Sequence, residues 1–539
     1  MQPHTTKAMI FCVELNSVAG AQHLRAPESS NADGREHPGA WRARRVDFEA
    51  SARMREIITV QVGQCGNQIG CRFWELALKE HAAYNTKARY DDALSSFFSN
   101  VDDRQEPPLR LPVGDGRGGI RSLKARAVVV DMEEGVTNEL LSGPMRDVFD
   151  TKHFIVGQSG SGNNWACGSH HYGPMYREQL LEVVRRQAED ADSLQSFLLL
   201  HSLGGGTGSG LGSYLLSALA DEYPDVYRFS VSVFPSEDDD VVTSPYNATL
   251  SCAALAEHAD CVMPVENQAL MDIVNSIEAK SGKSQMGKND HAVKRGSSLS
   301  GVDGGDVRGR AGHGGKPWDG MNGIAANLLL NLTAGVRFEG ALNVDINEIT
   351  MNLVPFPRLH FLLPSMSPVV VPADRGRTTP TPRTMDQIFT EVFGRDRQLA
   401  SVDPRRSTYL ACALLLRGAV NISDANRNVE RLRHGLKMAH WVSDGFKVGL
   451  CDRAPVGVPY SALCLANNCA MQKPLDAMGE RYRKLRKRNV YLHHYTEYMD
   501  LADIDGAAAA IDDLAGEYGR VDATRVPDSV PSIEPLGIR

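Results

Sequence analysis

Gly204-Gly205-Gly206-Thr207-Gly208-Ser209-Gly210 is the stretch on which the reading of this chain turns. Its glycines follow the apolar run Phe197-Leu198-Leu199-Leu200, and Leu211, Tyr214, Leu215, Ala218 and Leu219 then recur at helical spacing. A buried strand, a glycine turn and a helix start together make an anion site. Backbone N–H groups unshielded by side chains point at the ligand, and the helix N-terminus adds partial positive charge. Thr207 and Ser209 add hydroxyl donors. A flexible linker has a similar composition, but a linker does not lie between an apolar strand and an amphipathic helix. Two common phosphate-loop patterns fail here. No lysine follows these glycines, as a Walker loop requires. Gly282-Lys283-Ser284 supplies a lysine but has Ile277 where the first glycine should stand. No register of Gly204 to Gly212 gives the dinucleotide fingerprint either, so a nicotinamide-dependent oxidoreductase of similar sheet architecture is disfavoured.

Outward from this stretch the same grammar repeats. Ile57, Ile58, Val60 and Val62 form a strand that ends in Gly63-Gln64-Cys65-Gly66-Asn67-Gln68-Ile69-Gly70, and a helix follows through Phe73, Trp74 and Leu78. Gly157-Gln158-Ser159-Gly160-Ser161-Gly162-Asn163-Asn164-Trp165 is a third glycine-rich turn. Ala127 to Val130 reads as a buried strand, with Asp131 and Glu133 facing the same way on an extended chain. Alone, such carboxylates are a solvated strand end. Beside a polyphosphate they call for Mg²⁺ between the like charges. The acidic run Glu237-Asp238-Asp239-Asp240 after the strand Phe229 to Phe234 suits ribose hydroxyls as well as plain solvent. Strand and helix alternate to about residue 268, which predicts an α/β fold: a parallel sheet whose loops form one crevice.

At 539 residues the chain has length for several domains. Lys and Arg total 58 against 66 Asp and Glu, a net charge of −8 that argues against nucleic acid and membrane surfaces as partners. No apolar run is long enough to span a membrane. Ten cysteines without a Cys-x-x-Cys pair suit reduced thiols in a cytosolic compartment. Asn247-Ala-Thr249, Asn331-Leu-Thr333 and Asn421-Ile-Ser423 match the glycosylation pattern but need a secretory route. Adjacent histidines at His170-His171 and His493-His494 point apart and make poor metal sites.

The expected organisation is a disordered extension or gene-model artefact over 1–53, a nucleotide domain over 54–268, and a mobile insert over 280–316. Ten of the insert's 37 residues are glycine, and eight Lys or Arg against three Asp make it +5. A core helix over 317–337 carries Met321, Ile324, Ala325, Leu328, Leu329 and Leu332 on one stripe. A mixed α+β domain spans 338–470, with Leu359 to Leu363 and Tyr409 to Leu416 as strands. Helices follow over 471–521, then a tail over 522–539. Residues 99–122 and the Pro-rich 364–383 read as loops.

Taken together, Gly63 to Gln68, Gly160 to Trp165, Gly204 to Gly210, Pro245-Tyr246-Asn247-Ala248-Thr249 and Asn352-Leu353-Val354-Pro355-Phe356-Pro357-Arg358 resemble the tubulin superfamily, over about 54 to 521. Gly70-Cys71-Arg72-Phe73-Trp74-Glu75-Leu76-Ala77-Leu78, Ser96-Phe97-Phe98, the insert ahead of Asn327 to Thr333, Tyr409 to Leu414 and Leu492-His493-His494-Tyr495 resemble its epsilon class in particular. The resemblance implies GTP or GDP with Mg²⁺. Gly63, Gln64, Cys65 and Gln68 would line the phosphates with Ser161, Gly162, Asn163 and the loop Gly204, Gly205, Gly206, Thr207, Gly208. Ser202 would sit beside the nucleotide, and Asp131 and Glu133 near the metal. Asn267 and Asn322 would read the base, since a carboxamide both donates and accepts, and Trp318 would stack on it.

The resemblance further implies that GTP turnover awaits assembly. The loop carrying Asp345 and Glu348 would reach the next subunit's nucleotide and orient the attacking water. Taken by itself, Glu348 reads equally as a capping glutamate at a helix start. Implied partners are other tubulin-family subunits and centriolar proteins, in the cytoplasm at a centriole or basal body; the alternative within the superfamily is an ordinary lattice-forming tubulin, disfavoured by the insert and the tail. The chain also departs from the family pattern. The loop Pro235 to Pro245 is one residue shorter, with Ser244 before the proline, which puts ribose contacts such as Asp240 in doubt. No glutamate-rich tail follows Pro527 to Pro531, which disfavours tail-dependent partners. The basic insert is expected to hang over the nucleotide-bearing end and to hinder subunit addition there.

Overall fold

The computed structural model describes residues 55–85, 92–105, 108–113, 120–236, 239, 241–289, 318–338, 340, 342–370, 384–442 and 445–524. The expectations for 1–53, for Asp240, for most of the insert and for the tail beyond Thr524 lie outside these residues.

The chain enters through β1 (Glu56–Val62), every residue of which is buried, and passes straight into α1 (Gly63–Tyr84). A three-stranded antiparallel ribbon follows: β2 (Phe98–Asp102), β3 (Leu109–Leu111) and β4 (Ser122–Ala125), in the order β3-β2-β4. This corrects the reading of 99–122 as a loop. The strands are short, and β3 is largely exposed, so no apolar period announces them.

The main sheet continues with β5 (Ala127–Asp131), α2 (Glu134–Ser142), β6 (Phe154–Val156), α3 (Gly173–Glu189), β7 (Leu194–Ser202), α4 (Gly212–Glu222), β8 (Tyr227–Phe234), α5 (Ser244–His258), β9 (Cys261–Glu266) and α6 (Asn267–Asn289). The order is β6-β5-β1-β7-β8-β9, all parallel. Burial on both faces explains why these strands read as continuous apolar runs. Along β1 the side chains alternate: Ile57 joins a core under α1 and α7, while Ile58, Val60 and Val62 join another under α3, α4 and α14. The chain order reverses around β1, and the crevice at such a switch point is where an open parallel sheet binds ligands.

The helix of the apolar stripe is α7 (Asp319–Leu332), followed by the single turn α8 (Ala334–Arg337). Leu328 and Leu329 are fully buried in it. Then come α9 (Ile346–Leu353), β10 (Leu362–Ser367), α10 (Met385–Val392), β11 (Tyr409–Gly418), α11 (Ile422–Gly435), β12 (Phe446–Cys451) and β13 (Tyr460–Asn468), with sheet order β10-β13-β11-β12. β10 carries the strand through Pro364 to Ser367, into what the sequence suggests is loop. Proline is tolerated because β10 is an edge strand, where a missing N–H costs no ladder bond. The helices α12 (Gln472–Arg486), α13 (His493–Thr496) and α14 (Leu501–Asp522) close the chain against α5.

Candidate nucleotide site

Three glycine turns meet above the C-terminal edge of the main sheet. The first is the junction of β1 and α1, where Gly63 takes φ +74°, a region natural to glycine. α1 starts with no side-chain cap and no acidic residue in its first turn, so its leading N–H groups stay free for an outside acceptor. The second is the turn ending in Trp165. The third runs from Gly204 into a widened π-type turn, Thr207–Leu211, and then α4. Ser161 Oγ and Thr207 Oγ1 bridge the last two turns at 2.9 Å. A Cβ at Gly206 would lie 2.5 Å from the Asn164 nitrogen, so only glycine lets these turns approach.

Two buried side chains fix this arrangement, and neither has a ligand-facing role in the sequence reading. Asn247 in α5 donates from Nδ2 to Asn163 O and Gly204 O, both at 2.8 Å, and accepts at Oδ1 from Trp165 N at 2.9 Å. Tyr495 of α13 donates to the same oxygen at 2.5 Å. The apparent glycosylation site at Asn247 is therefore a buried hub between turns. His201 donates from Nδ1 to Gly208 O at 2.8 Å, and its Nε2 accepts from Ser230 and Ser232 at 3.0 and 3.1 Å. Burial pushes the His201 pKa down to about 4, so the ring is neutral with its proton on the glycine turn. The sequence's hint of His201 is a polar residue three positions before Gly204, directly behind the apolar run Phe197 to Leu200.

The cleft so formed is about 330 Å³. Its walls include Gly63, Gln64, Cys65 and Gln68, then Ser161, Asn163, Ser202 and the run Gly204 to Gly208. Asp131 and Glu133 stand at one side, and Asn267, Trp318 and Asn322 at the other. Gly162, with φ +58°, does not line it, and Asp240 lies outside the described residues. Its neighbour Asp239 does line the cleft and accepts from Ser244 Oγ at 2.7 Å.

The two ends differ chemically. Burial pushes the Cys65 thiol up to about 12, so it meets a ligand as a neutral group. Burial likewise raises Asp131 to about 6, against the Asn67 amide, which donates to its Oδ2 at 3.3 Å. A buried carboxyl with Glu133 two residues on is a hard-oxygen pair. That suits Mg²⁺, which takes one or two carboxylates and completes its shell from phosphate and water. Among the described residues no cluster of three metal-ligating side chains exists. At the other end Asn322 Nδ2 donates to Gln68 Oε1 at 3.4 Å, and the half-exposed Trp318 ring stands at the start of α7.

Asp345 and Glu348 do not enter this cleft. They occupy the cap and first turn of α9, where Asp345 pairs with Arg55 at 3.2 Å and Glu348 with Lys447 at 2.6 Å. Asp345 is buried at 8% exposure, whereas the Glu348 carboxylate is about one-third exposed.

Comparison with known proteins agrees with this geometry. Residues 56–275 match the model of the Tubulin/FtsZ family GTPase domain, and 357–479 match the Tubulin C-terminal domain. The chain is 51% identical to the tubulin epsilon chain of Mus musculus over 484 residues, covering 88% of this chain and 98% of that one. It is 50% identical to the tubulin epsilon chain of Homo sapiens, covering 88% and 97%. Identity to the tubulin beta-1 chain of Geotrichum candidum is 35%, covering 88% and 97%.

Proposed function

The chain belongs to the tubulin family, and from that premise we propose that it is a GTP-binding structural subunit of centrioles or basal bodies that joins other tubulin-family subunits. The observation carrying the nucleotide reading is the convergence of Gly63, Ser161 and Gly204 to Gly208 on one cleft. In this reading the uncapped N-terminus of α1 and the N–H groups of the Gly204–Gly208 loop hold the phosphates. Asp131 and Glu133 hold Mg²⁺, which when bound offsets phosphate charge. Trp318 stacks on guanine, and Asn267 and Asn322 match its donors and acceptors. The closer similarity to epsilon chains than to a beta chain supports the specialised role.

Turnover is assigned to assembly. Glu348 is partly exposed in the first turn of α9, with Asp345 buried at its cap, and the two would orient water on the nucleotide of an adjoining subunit. Equilibrium dialysis with labelled GTP and Mg²⁺ tests the first part: folded protein retains the nucleotide, and failure to retain it overturns the reading. Glu348→Ala tests the second, with slower phosphate release expected in a mixed polymer and unchanged nucleotide retention by the free chain. Colocalisation of a tagged chain with centriole markers tests the third.

A further inference from the structure

A second cleft lies behind the nucleotide site. It is about 610 Å³, and its apolar surface comes from Phe234, Val241, Ala248, Ala400, Val402 and Met478. Val242 on its rim is 59% exposed. Two of the charged groups inside are already answered: Glu266 accepts from Ser401 N at 2.7 Å, and Arg481 donates to Ser236 O at 3.1 Å.

One wall of this groove is α12. Lys473, Ala477 and Arg481 line the groove, Lys484 continues the same side of the helix, and Lys487 and Arg488 follow in the turn just past its end. The other basic residues here are committed. Arg483 pairs with Asp512 at 2.7 Å and Arg486 with Asp505 at 2.9 Å, tying α12 to α14. Lys484, Lys487 and Arg488 are exposed and have no ion-pair partner among the described residues. Asp476 and Glu480 share the helix but leave the ridge from 484 to 488 positive.

We infer that this groove and ridge form a docking surface for an acidic amphipathic peptide segment of a partner protein. Apolar side chains of the segment fill the groove, and its carboxylates run along Lys484, Lys487 and Arg488. From Lys473 to Arg486 the helix is about 20 Å long, the length of roughly 13 helical residues. A nucleic acid fits less well: half of the surface is an apolar trough, and the net charge of −8 opposes a polyanion at long range. Pro235, Asp239 and Val241 line both this groove and the nucleotide cleft. The docked segment and the nucleotide therefore share these three residues as a common wall. This coupling rests on the GTP reading, whereas the docking itself does not.

The test is selection from a displayed library of random 16-residue peptides against the full chain, followed by fluorescence anisotropy on the enriched peptides. Enrichment of peptides with an apolar stripe and Asp or Glu is expected. Their affinity should fall about tenfold or more for the triple variant K484E/K487E/R488E, largely through slower association, and fall as salt rises. Val242→Asp, which leaves the ridge intact, should weaken the same peptides. Circular dichroism and retained GTP show that the variants are folded, so loss of nucleotide is read apart from loss of peptide. Enriched peptides without acidic character, or acidic peptides indifferent to both variants, overturn the proposal. So does a single-stranded RNA oligonucleotide that displaces every peptide with equal affinity for wild type and Val242→Asp.

Discussion

The two ends of α1 solve opposite problems. At its N-terminus Gly63 and Gln64 present backbone amides to an open cleft, with no acidic residue in the first turn to answer them. Some five turns later the same helix carries Glu80, sealed from solvent between Arg337 of α8 at 2.8 Å and Arg417 of β11 at 3.1 Å. His81 beside it stays neutral, its pKa pushed down to about 3 by burial and by the two arginines. One end is left electrostatically incomplete, and the other closes on itself across both sheets. Ligand affinity needs the former, because only unsatisfied donors gain from a bound anion. Rigid positioning of that end needs the latter.

The largest effect is expected at the closed end. Glu80→Gln leaves two buried guanidinium groups without their counter-charge, and removing one partner of a buried ion pair typically costs about 3–5 kcal/mol. Urea unfolding should show that loss. Nucleotide affinity per folded molecule should stay close to wild type, since Glu80 touches no part of the cleft. A loss of less than about 1 kcal/mol would mean that the arginines find other partners and that the rivet is not there.

Next in size is the hub at the open end. Asn247→Leu strands Trp165 N together with Asn163 O and Gly204 O, at a cost of about 2–3 kcal/mol from unmet buried hydrogen bonds. Here the contrast with Glu80 sharpens, because GTP retention in dialysis should drop along with stability. Equal retention would show that the turns hold their shape without the hub.

Acid separates the two ends in a third way. His201 is neutral in the fold with a pKa near 4, against an ordinary value of 6.5. The unfolded chain takes up that proton first, so stability is complete above pH 6.5 and is lost as pH falls toward 4. Between pH 7 and 5 the ring accounts for up to about 2 kcal/mol. In His201→Gln the slope of stability against pH over that window should be shallower, measured by urea midpoints. An unchanged slope would assign acid lability to other groups, His81 first.

How much of this was legible follows from what each part asks of its side chains. The glycine turns were readable because close approach of backbones, as at Gly206, admits only glycine. The parallel sheet was readable because burial on both faces forces apolar runs such as Phe197 to Leu200. The ribbon from Phe98 to Ala125 was not, because its strands alternate weakly and β3 stays in solvent. Nor were the roles of Asn247 and His201, which rest on partners such as Trp165 and Ser230, 82 and 29 residues away. Glu80 offered no signal at all, since Arg337 and Arg417 are 257 and 337 positions distant. Only the resemblance singled out Asp345 and Glu348, as the residues of α9 are ordinary for a helix start.

The smallest effect should come from the ion pair that holds Glu348. Glu348 and Lys447 are each about one-third exposed and 2.6 Å apart, so Lys447→Ala should change stability by no more than about 0.5 kcal/mol. Its value lies in what it does to the carboxylate rather than to the fold. A glutamate freed from its lysine is more mobile but carries less neutralised charge. If it serves the nucleotide of an adjoining subunit, phosphate release by the mixed polymer should shift in Lys447→Ala while GTP retention by the free chain does not. A stability loss of several kcal/mol instead would make this pair a second rivet like Glu80, and Glu348 a structural residue.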